Sequence, residues 1–229
     1  MTFRTCLIAL VALGAADSTG GLAAQVRFLP VRNAGVGTGI GIAADAGFPN
    51  ADAGKGIAVG ATGAIGLGPL GITGTVATWN PKGPGPSVNS AGVTGNLKIF
   101  GGPLIPVSVT LQAGAAYDKQ GGTSIEGAAF AAKTWHVPVS LGLALTIPNP
   151  VFSIKPWLAP RVDVTRTTLS NGGTASTTTD NRAKFGISGG VDFGFLSGLA
   201  VRVMYDRVSA GNKSTPSVLS LGLGFKVGT

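Results

Sequence analysis

Cysteine and histidine are almost absent from this chain, which has one residue of each among its 229 positions. Cys6 has no second cysteine with which to form an intramolecular disulfide. One histidine without further thiols is also too small a ligand set for a structural zinc site. We therefore predict that the protein has no cofactor and no metal site, and that its stability comes from something other than disulfides.

A hydrolase or acyltransferase of the serine–histidine type would have to use His136 as its general base. Ser140 lies four residues along the same segment. At the rise of a β-strand it is about 13 Å away, too far to be the partner of His136. Only distant residues such as Ser124, Glu126 or Asp163 remain as partners. We predict that the chain is not an enzyme and that His136 lies at the rim of the fold, near lipid head groups.

Charge and long apolar runs are also scarce. Charged residues make up 11% of the chain, yet the mean hydropathy is positive at +0.39 and glycine occurs 38 times. Past the N-terminus, no apolar run approaches the roughly 18 residues of a transmembrane helix. The composition is too apolar for a disordered chain and has no collagen period. Overall hydrophobicity without hydrophobic runs indicates that apolar and small residues alternate.

The first 24 residues have the pattern of a secretory signal peptide. Arg4 provides a positive start, an apolar stretch follows from Cys6 to Ala16, and small residues lead to a cleavage site near Ala24 or Gln25. A buried N-terminal helix is the alternative. The mature chain would contain no cysteine. We assign residues 25–34, "QVRFLPVRNA", to a periplasmic N-terminal segment, with a plug inside the fold as the alternative.

The formal net charge is +8, but the basic residues are scattered singly. No basic cluster or aromatic-interleaved basic motif indicates nucleic-acid binding. In an exported chain, contact with anionic lipid head groups is the better interpretation of this excess.

The stretch "GVGTGIGIAADAG" at residues 35–47 has glycine at every second position between 35 and 41. A phosphate-binding loop would need its glycines to lead into a helix, as in GxGxxG or GxxxxGK[ST]. Here the alternation continues instead, which indicates a β-strand with one face nearly free of side chains. Nine further segments alternate in the same way, for example "WHVPVSLGLALTI" and "SVLSLGLGFKVG".

Short connections and longer polar ones follow one another along these ten segments. An even number of strands, with short turns at one end and long loops at the other, is typical of an outer-membrane β-barrel. We predict an all-β fold in which residues 35–229 form a closed, antiparallel, up-and-down transmembrane β-barrel of about ten strands. A secreted soluble β-sandwich that binds a partner is the alternative from a different class.

Aromatic residues lie near both ends of the predicted strands, as expected for girdles at the two membrane interfaces. Trp79 and Phe100 have the wrong parity for the outer face, so each needs a bulge or must point inward. The interfacial aromatics that we predict are Trp79, Tyr117, Trp135, Phe185, Tyr205, Phe193 and Phe225.

In this layout the chain resembles the small outer-membrane β-barrel proteins of Gram-negative bacteria, of the general OmpA-like or OmpW-like type. The last segment, "SVLSLGLGFKVG", resembles the terminal strand that the barrel-assembly machinery recognises, although Phe225 is not the last residue. The resemblance implies an outer-membrane location, with outer-membrane lipid and lipopolysaccharide and the assembly machinery as partners.

The inner face of the predicted barrel carries polar and charged side chains, which must pair or meet water. The first interpretation is an internal network that fills the lumen of a structural or surface-facing protein. The alternative is a narrow passive pore with a weak preference for anions. The predicted lumen residues are Lys98, Lys155, Arg161, Asp163, Lys184, Asp192, Arg202, Asp206 and Lys226.

Overall fold

Eleven β-strands and one short 3-10 helix, Ala51–Ala53, make up the regular structure of the described residues. The computed structural model describes residues 26–83, 85–101, 105–123, 129–148, 151–171, 177–195, 197–209 and 214–227. The predicted signal peptide, residues 1–24, lies outside these ranges and stays a prediction. The strands are β1 (Gly39–Pro49), β2 (Ile57–Leu67), β3 (Leu70–Asn80), β4 (Val88–Phe100), β5 (Val107–Thr123), β6 (Ala129–Leu145), β7 (Ile147–Pro148), β8 (Phe152–Asn171), β9 (Thr177–Phe195), β10 (Leu199–Val208) and β11 (Ser217–Val227).

The strands form one closed antiparallel barrel. Neighbours in sequence are neighbours in the sheet, except that β6 pairs with β8, and β1 closes the ring against β11. The two-residue β7 continues β6 and pairs only with the start of β8, so ten strands form the wall. Closure leaves no free sheet edge in the wall. In lipid this is required, because an unpaired strand edge would have no hydrogen-bond partners there. The fold prediction is confirmed, and one closed sheet excludes the two stacked layers of a β-sandwich.

The first wall strand begins later than the alternation predicts. The sequence pattern extends from residue 35, whereas β1 starts at Gly39, where Gly39 faces Gly66 of β2. Residues 35–37 lie against the inner face of the wall instead, and Thr38 is exposed at its mouth. Val36 is within 2.5 Å of the position that a Cβ on Gly71 would take.

Large apolar side chains cover the outside of the wall. On β11, for example, Leu219, Leu221 and Leu223 are exposed, while Ser220 between them is buried. The apolar rows on β5 run from Val107 to about residue 117; at a rise of about 3.3 Å per residue and the usual strand tilt this gives a band about 25 Å tall. Such a continuous apolar surface is stable in lipid and not in water. Within the described ranges, no helix is long and apolar enough to cross a membrane.

Aromatic side chains lie on the outer face at both ends of this band. At one end the rings of Tyr117 and Trp135 contact each other at 5.1 Å between centroids, and Phe185 and Tyr205 are exposed at a similar height. At the other end are Phe193, Phe195, Phe225 and Phe100. The register between β4 and β5 shifts at Lys98/Phe100. This bulge explains how Phe100 reaches the outer face against the parity of its strand.

The connections differ in length between the two ends of the barrel. Those at residues 68–69, 101–106, 146–151 and 196–198 are short, whereas those at 50–56, 81–87, 124–128, 172–176 and 209–216 are longer on average. Short turns face the periplasm and long loops face the exterior in outer-membrane barrels. Together with the closed wall and the apolar band, this layout is that of an outer-membrane β-barrel protein.

Candidate functional site

The chain's own N-terminal segment, residues 26–38, occupies the interior of the barrel. Val26, Phe28, Val31 and Ala34 are each at most 2% exposed, although none belongs to a wall strand. The predicted periplasmic position of residues 25–34 is therefore wrong for residues 26–34, and Gln25 lies outside the described residues. The physical reason is that "VRFLPV" is largely apolar and finds burial only inside the wall.

At the long-loop end, apolar side chains of the N-terminal segment pack against the wall. The ring centroids of Phe28 and Trp79 are 4.4 Å apart. The indole nitrogen of Trp79 donates to the backbone oxygen of Lys55 at 3.1 Å. The predicted interfacial position of Trp79 is wrong, because its side chain points inward and is only 4% exposed. The parity of β3 favours this inward position, since no register shift is recorded between β3 and its neighbours at Trp79. The cluster also contains Val26, Leu29, Ala53, Ala58, Ala77, Val88, Val208 and Val218.

Beside this cluster, Asp118 of β5 binds two partners. Arg27 Nη1 donates to Asp118 Oδ2 at 3.0 Å, and His136 Nε2 lies 2.8 Å from Asp118 Oδ1. The guanidinium of Arg27 also lies 5.2 Å from the rings of Phe28 and Trp79. This arrangement ties the N-terminal segment to the wall by a buried ion pair.

His136 lies inside the barrel and is 4% exposed, so the predicted position near lipid head groups is wrong. His136 follows the outward-facing Trp135 in β6, and successive side chains of a strand point to opposite faces. The sequence pattern therefore indicates an inward side chain for His136. Within the described part of the chain, its only recorded hydrogen bond is to a carboxylate, and Nδ1 has no partner. No serine hydroxyl there contacts the ring.

A second buried ion cluster lies between β8, β9 and β10. Arg161 Nε donates to Asp163 Oδ2 at 2.7 Å, and Arg161 Nη1 donates to Asp206 Oδ1 at 2.8 Å. Arg161 Nη1 also donates to the hydroxyl of Ser188. The backbone N–H of Val31 donates to Asp206, which links this cluster to the N-terminal segment. Lys184 faces Asp163 across the two strands.

Halfway along the lumen, the N-terminal segment is bound by hydrogen bonds of amide and hydroxyl groups and not by ion pairs. Asn33 Nδ2 donates to Ser140 Oγ at 2.8 Å and to the backbone oxygen of Thr110 at 3.2 Å. Gln112 Nε2 donates to Asn96 Oδ1 at 2.8 Å and to the backbone oxygen of Arg32 at 3.2 Å. These bonds position the N-terminal segment against β5 and β6.

At the short-turn end, Asp192 of β9 is the central acceptor. Arg32 Nε donates to Asp192 Oδ2 at 3.1 Å, and the indole nitrogen of Trp157 donates to Asp192 Oδ1 at 3.3 Å. The ammonium of Lys155 donates to the backbone oxygen of Ala34. Arg202 Nε lies 3.4 Å from Asp45 Oδ1.

Among the described residues, the charges inside the lumen are balanced in the long-loop half and positive in the short-turn half. In the long-loop half, Arg27, Arg161 and Lys184 face Asp118, Asp163 and Asp206. In the short-turn half the two carboxylates Asp45 and Asp192 face more cations than they can neutralise. These cations are Arg32, Lys98, Lys155, Arg202 and Lys226. Among the described residues, no carboxylate lies within 4.0 Å of the ammonium groups of Lys98, Lys155 or Lys226.

Glycines of the wall make room for the N-terminal segment. A Cβ on Gly142 would lie 2.0 Å from the backbone oxygen of Asn33, and one on Gly47 would lie 2.2 Å from that of Phe28. A Cβ on Gly66 would lie 2.1 Å from the backbone oxygen of Gly37. Outward Gly63, in contrast, has open space around its Cβ position. The inward glycines therefore admit a second layer of backbone that side chains would exclude.

A cavity of about 270 Å³ remains beside the N-terminal segment. Its wall includes Arg32, Lys155, Arg202 and Lys226 together with the two carboxylates of the short-turn half. In the part of the chain that the structure describes, no group of three His, Cys, Asp or Glu side chains could hold a metal ion.

The nine predicted lumen residues all lie on inward-facing positions of the wall, and five further residues of the site were not predicted. Asp45, Asp118 and His136 have the inward parity of their strands, and that signal was available. Arg27 and Arg32 belong to a segment without strand alternation, so no pattern marked them as interior residues.

Three solved structures illustrate what the chain is similar to. The N-terminal β-barrel domain of Pseudomonas aeruginosa OprF is 12% identical over 83% of this chain and 98% of that chain, with a TM-score of 0.40. The outer membrane protease OmpT of Escherichia coli is 11% identical over 83% of this chain and 94% of that chain, with a TM-score of 0.45. The translocator domain of the autotransporter NalP of Neisseria meningitidis is 12% identical over 83% of this chain and 90% of that chain, with a TM-score of 0.47. No protein-family model and no curated protein matches the chain. The named roles of these three proteins differ and say nothing about activity here.

Proposed function

We propose that this protein is an outer-membrane barrel closed by its own N-terminal segment, with a structural or surface-facing role in the cell envelope. The observation that carries the proposal is the complete burial of Phe28 and Val31 within the lumen. A segment in this position obstructs the path that a solute would follow.

Contacts at three heights support a permanent rather than a transient closure. Phe28 packs on Trp79, Asn33 binds Ser140, and Arg32 binds Asp192. Burying one large apolar side chain stabilises by about 1.5–3 kcal/mol. Removing one partner of a buried ion pair costs about 3–5 kcal/mol. Several such contacts have to break together before the segment can leave.

The proposal includes no catalytic activity, because His136 and Asp118 are both buried beside the N-terminal segment, where a substrate has no access to them. Outer-membrane lipid, including lipopolysaccharide, surrounds the apolar band in this account. The barrel-assembly machinery is the proposed partner during biogenesis, with the last strand, β11, as the segment that it recognises.

A narrow, weakly anion-preferring pore is the second candidate function. The excess of cations in the short-turn half and the cavity beside them favour it. Arg161 and Arg202 are paired with carboxylates, so they contribute little to anion preference. Lys98, Lys155 and Lys226 would carry that preference, and the pore would conduct only after the N-terminal segment leaves the lumen.

Planar-bilayer conductance tests the closed barrel. We expect the refolded mature chain to give no stepwise current, because residues 26–34 fill its lumen. A variant that lacks residues 26–34 is expected to conduct, with a reversal potential that indicates anion preference. A synthetic peptide of residues 26–34 should block that current, whereas a scrambled peptide of equal composition should not.

Steady conductance of the mature chain, equal to that of the shortened variant, would contradict the proposed closure and favour the pore. If K98Q, K155Q and K226Q together leave the reversal potential of the shortened variant unchanged, the lysines do not set the preference. An outward lysine, replaced as K133Q, is the matched control.

A further inference from the structure

Three basic side chains on the outer wall lie next to one another at the long-loop end. Lys119 of β5, Lys133 of β6 and Arg166 of β8 are all exposed and all point away from the lumen. We call these three residues the basic collar. They do not belong to the interior site, and nothing in the proposed closure of the lumen requires them.

The strand register places the three cations in contact range. Lys119 is directly opposite Lys133, and Arg166 is opposite Trp135, the next outward residue below Lys133. Side chains directly opposite in an antiparallel pair have Cβ atoms about 5 Å apart, and diagonal neighbours about 7–8 Å. The collar is therefore one patch rather than three separate charges.

Carboxylates of the described residues leave this patch without a counter-charge. In the described ranges, no carboxylate lies within ion-pair distance of any of the three residues. Asp118, next to Lys119 in sequence, points inward and binds Arg27. Like charges directly opposite each other destabilise a sheet. The pair Lys119–Lys133 consequently weakens the isolated barrel, and an anion from outside would remove this penalty.

The height of the collar identifies the membrane layer that it meets. Lys119 and Lys133 each lie two residues beyond an interfacial aromatic, Tyr117 and Trp135. Two residues correspond to about 5 Å along the membrane normal at the usual rise and tilt. The aromatic girdle marks the head-group boundary, so the collar lies at the level of the phosphates. This end carries the long loops and faces the exterior, where the leaflet consists of lipopolysaccharide.

We propose that the basic collar binds the phosphate groups of lipid A, the membrane anchor of lipopolysaccharide. The guanidinium of Arg166 suits a bidentate phosphate contact, and the two ammonium groups add point charges beside it. The exposed ring of Trp135 below them contacts the acyl chains. The inference rests on the proposed lipid partner and names the residues that recognise it. It is independent of the closed lumen.

Binding of purified lipid A to the refolded mature chain in a zwitterionic detergent tests this assignment. One basic residue near an anionic lipid surface contributes about fivefold in affinity. We expect the variant K119Q/K133Q/R166Q to bind bisphosphorylated lipid A about 100-fold more weakly. The control K55Q/K82Q/R207Q removes three exposed positive charges from the same end, outside the collar, and should lose no more than about fivefold. Dephosphorylated lipid A should bind weakly and equally to all three proteins.

The charge reversal K133E separates binding from a purely structural effect. It turns the like-charge pair with Lys119 into an ion pair, so the midpoint of unfolding should stay or rise while lipid A binding falls. Equal binding by the collar variant and the unmodified chain would overturn the proposal. The proposal would also be overturned if phosphatidylglycerol displaced lipid A as well as lipid A itself does, because the patch would then bind anionic lipids in general. The collar variant should stay silent in planar bilayers, so failure here and failure of the closed lumen are distinguishable.

Discussion

The two halves of the lumen differ in how they hold the same N-terminal segment. In the long-loop half, Phe28 is buried against Trp79, and each buried arginine has a carboxylate partner. In the short-turn half, the segment is held mainly by Arg32 and by the ammonium of Lys155. The cavity beside the segment is lined there by four basic side chains, and it extends as far as Val26 and Leu29. The exterior half is therefore packed and neutral, whereas the periplasmic half is looser and positive.

In the proposed closed barrel, this difference places the seal on the side that meets the environment. Apolar contact and paired charge exclude water, and both are concentrated under the long loops. The unpaired lysines at the other end stay within reach of periplasmic water, where their charge is tolerated. The positive half alone would favour an anion pore, and the packed half is what closes it.

The largest expected effect comes from the ion cluster of the long-loop half. Arg161→Met leaves Asp163 and Asp206 buried together without their partner, so we expect a loss of about 3–5 kcal/mol in the free energy of unfolding. Arg202→Met removes a single longer contact to Asp45 in the other half, and should cost about 1–2 kcal/mol. Urea unfolding in detergent, followed by tryptophan fluorescence, measures both.

Arg182→Gln is the control for that comparison, because the Arg182–Asp180 pair is exposed and should contribute about 0–1 kcal/mol. If Arg161→Met and Arg202→Met cost the same, the two halves are equally anchored and the comparison is wrong.

A smaller effect is expected from wall glycines that contact the N-terminal segment. Gly47→Ala places a Cβ against the backbone of Phe28 in the packed half, and should cost about 1–3 kcal/mol. Gly66→Ala meets the backbone of Gly37 in the half with fewer anchoring contacts. A backbone shift is needed there too, so we expect a loss of about 1 kcal/mol, smaller than that of Gly47→Ala. The midpoint of heat-modified gel mobility reports the ranking.

Gly63→Ala is the matched control, since its Cβ would point into open space on the outer face. It should leave the midpoint unchanged. A larger loss for Gly66→Ala than for Gly47→Ala would reverse the comparison.

The wall of this barrel could be predicted from the sequence because lipid imposes a strict rule on it. Every second residue of each strand must be apolar, so rows such as Leu219, Leu221 and Leu223 stand out at a period of two. The parity rule alone does not distinguish Phe100 from Trp79, because both have inward parity. Phe100 reaches the outer face because the register shifts at a bulge, whereas Trp79 points inward and packs against Phe28.

The contents of the lumen were harder to predict for a physical reason. The N-terminal segment has no period of its own, and its burial depends on a cavity that exists only after ten strands have closed. No local sequence pattern therefore indicates that Arg27 and Arg32 form ion pairs with Asp118 and Asp192. The alternating glycines predict a strand face with few side chains, but their contact with the backbone of the N-terminal segment is visible only in the folded barrel.

The accessibility of a single engineered cysteine at residue 31 tests the closed lumen most directly, since the predicted mature chain has no other thiol. Val31→Cys in the folded barrel should resist an impermeant maleimide and react only after unfolding, because Val31 is fully buried. Thr38→Cys at the periplasmic mouth and Lys82→Cys in a long loop, both exposed positions, should react at once. Equal labelling of all three cysteines in the folded protein would place the segment outside the barrel and contradict the account.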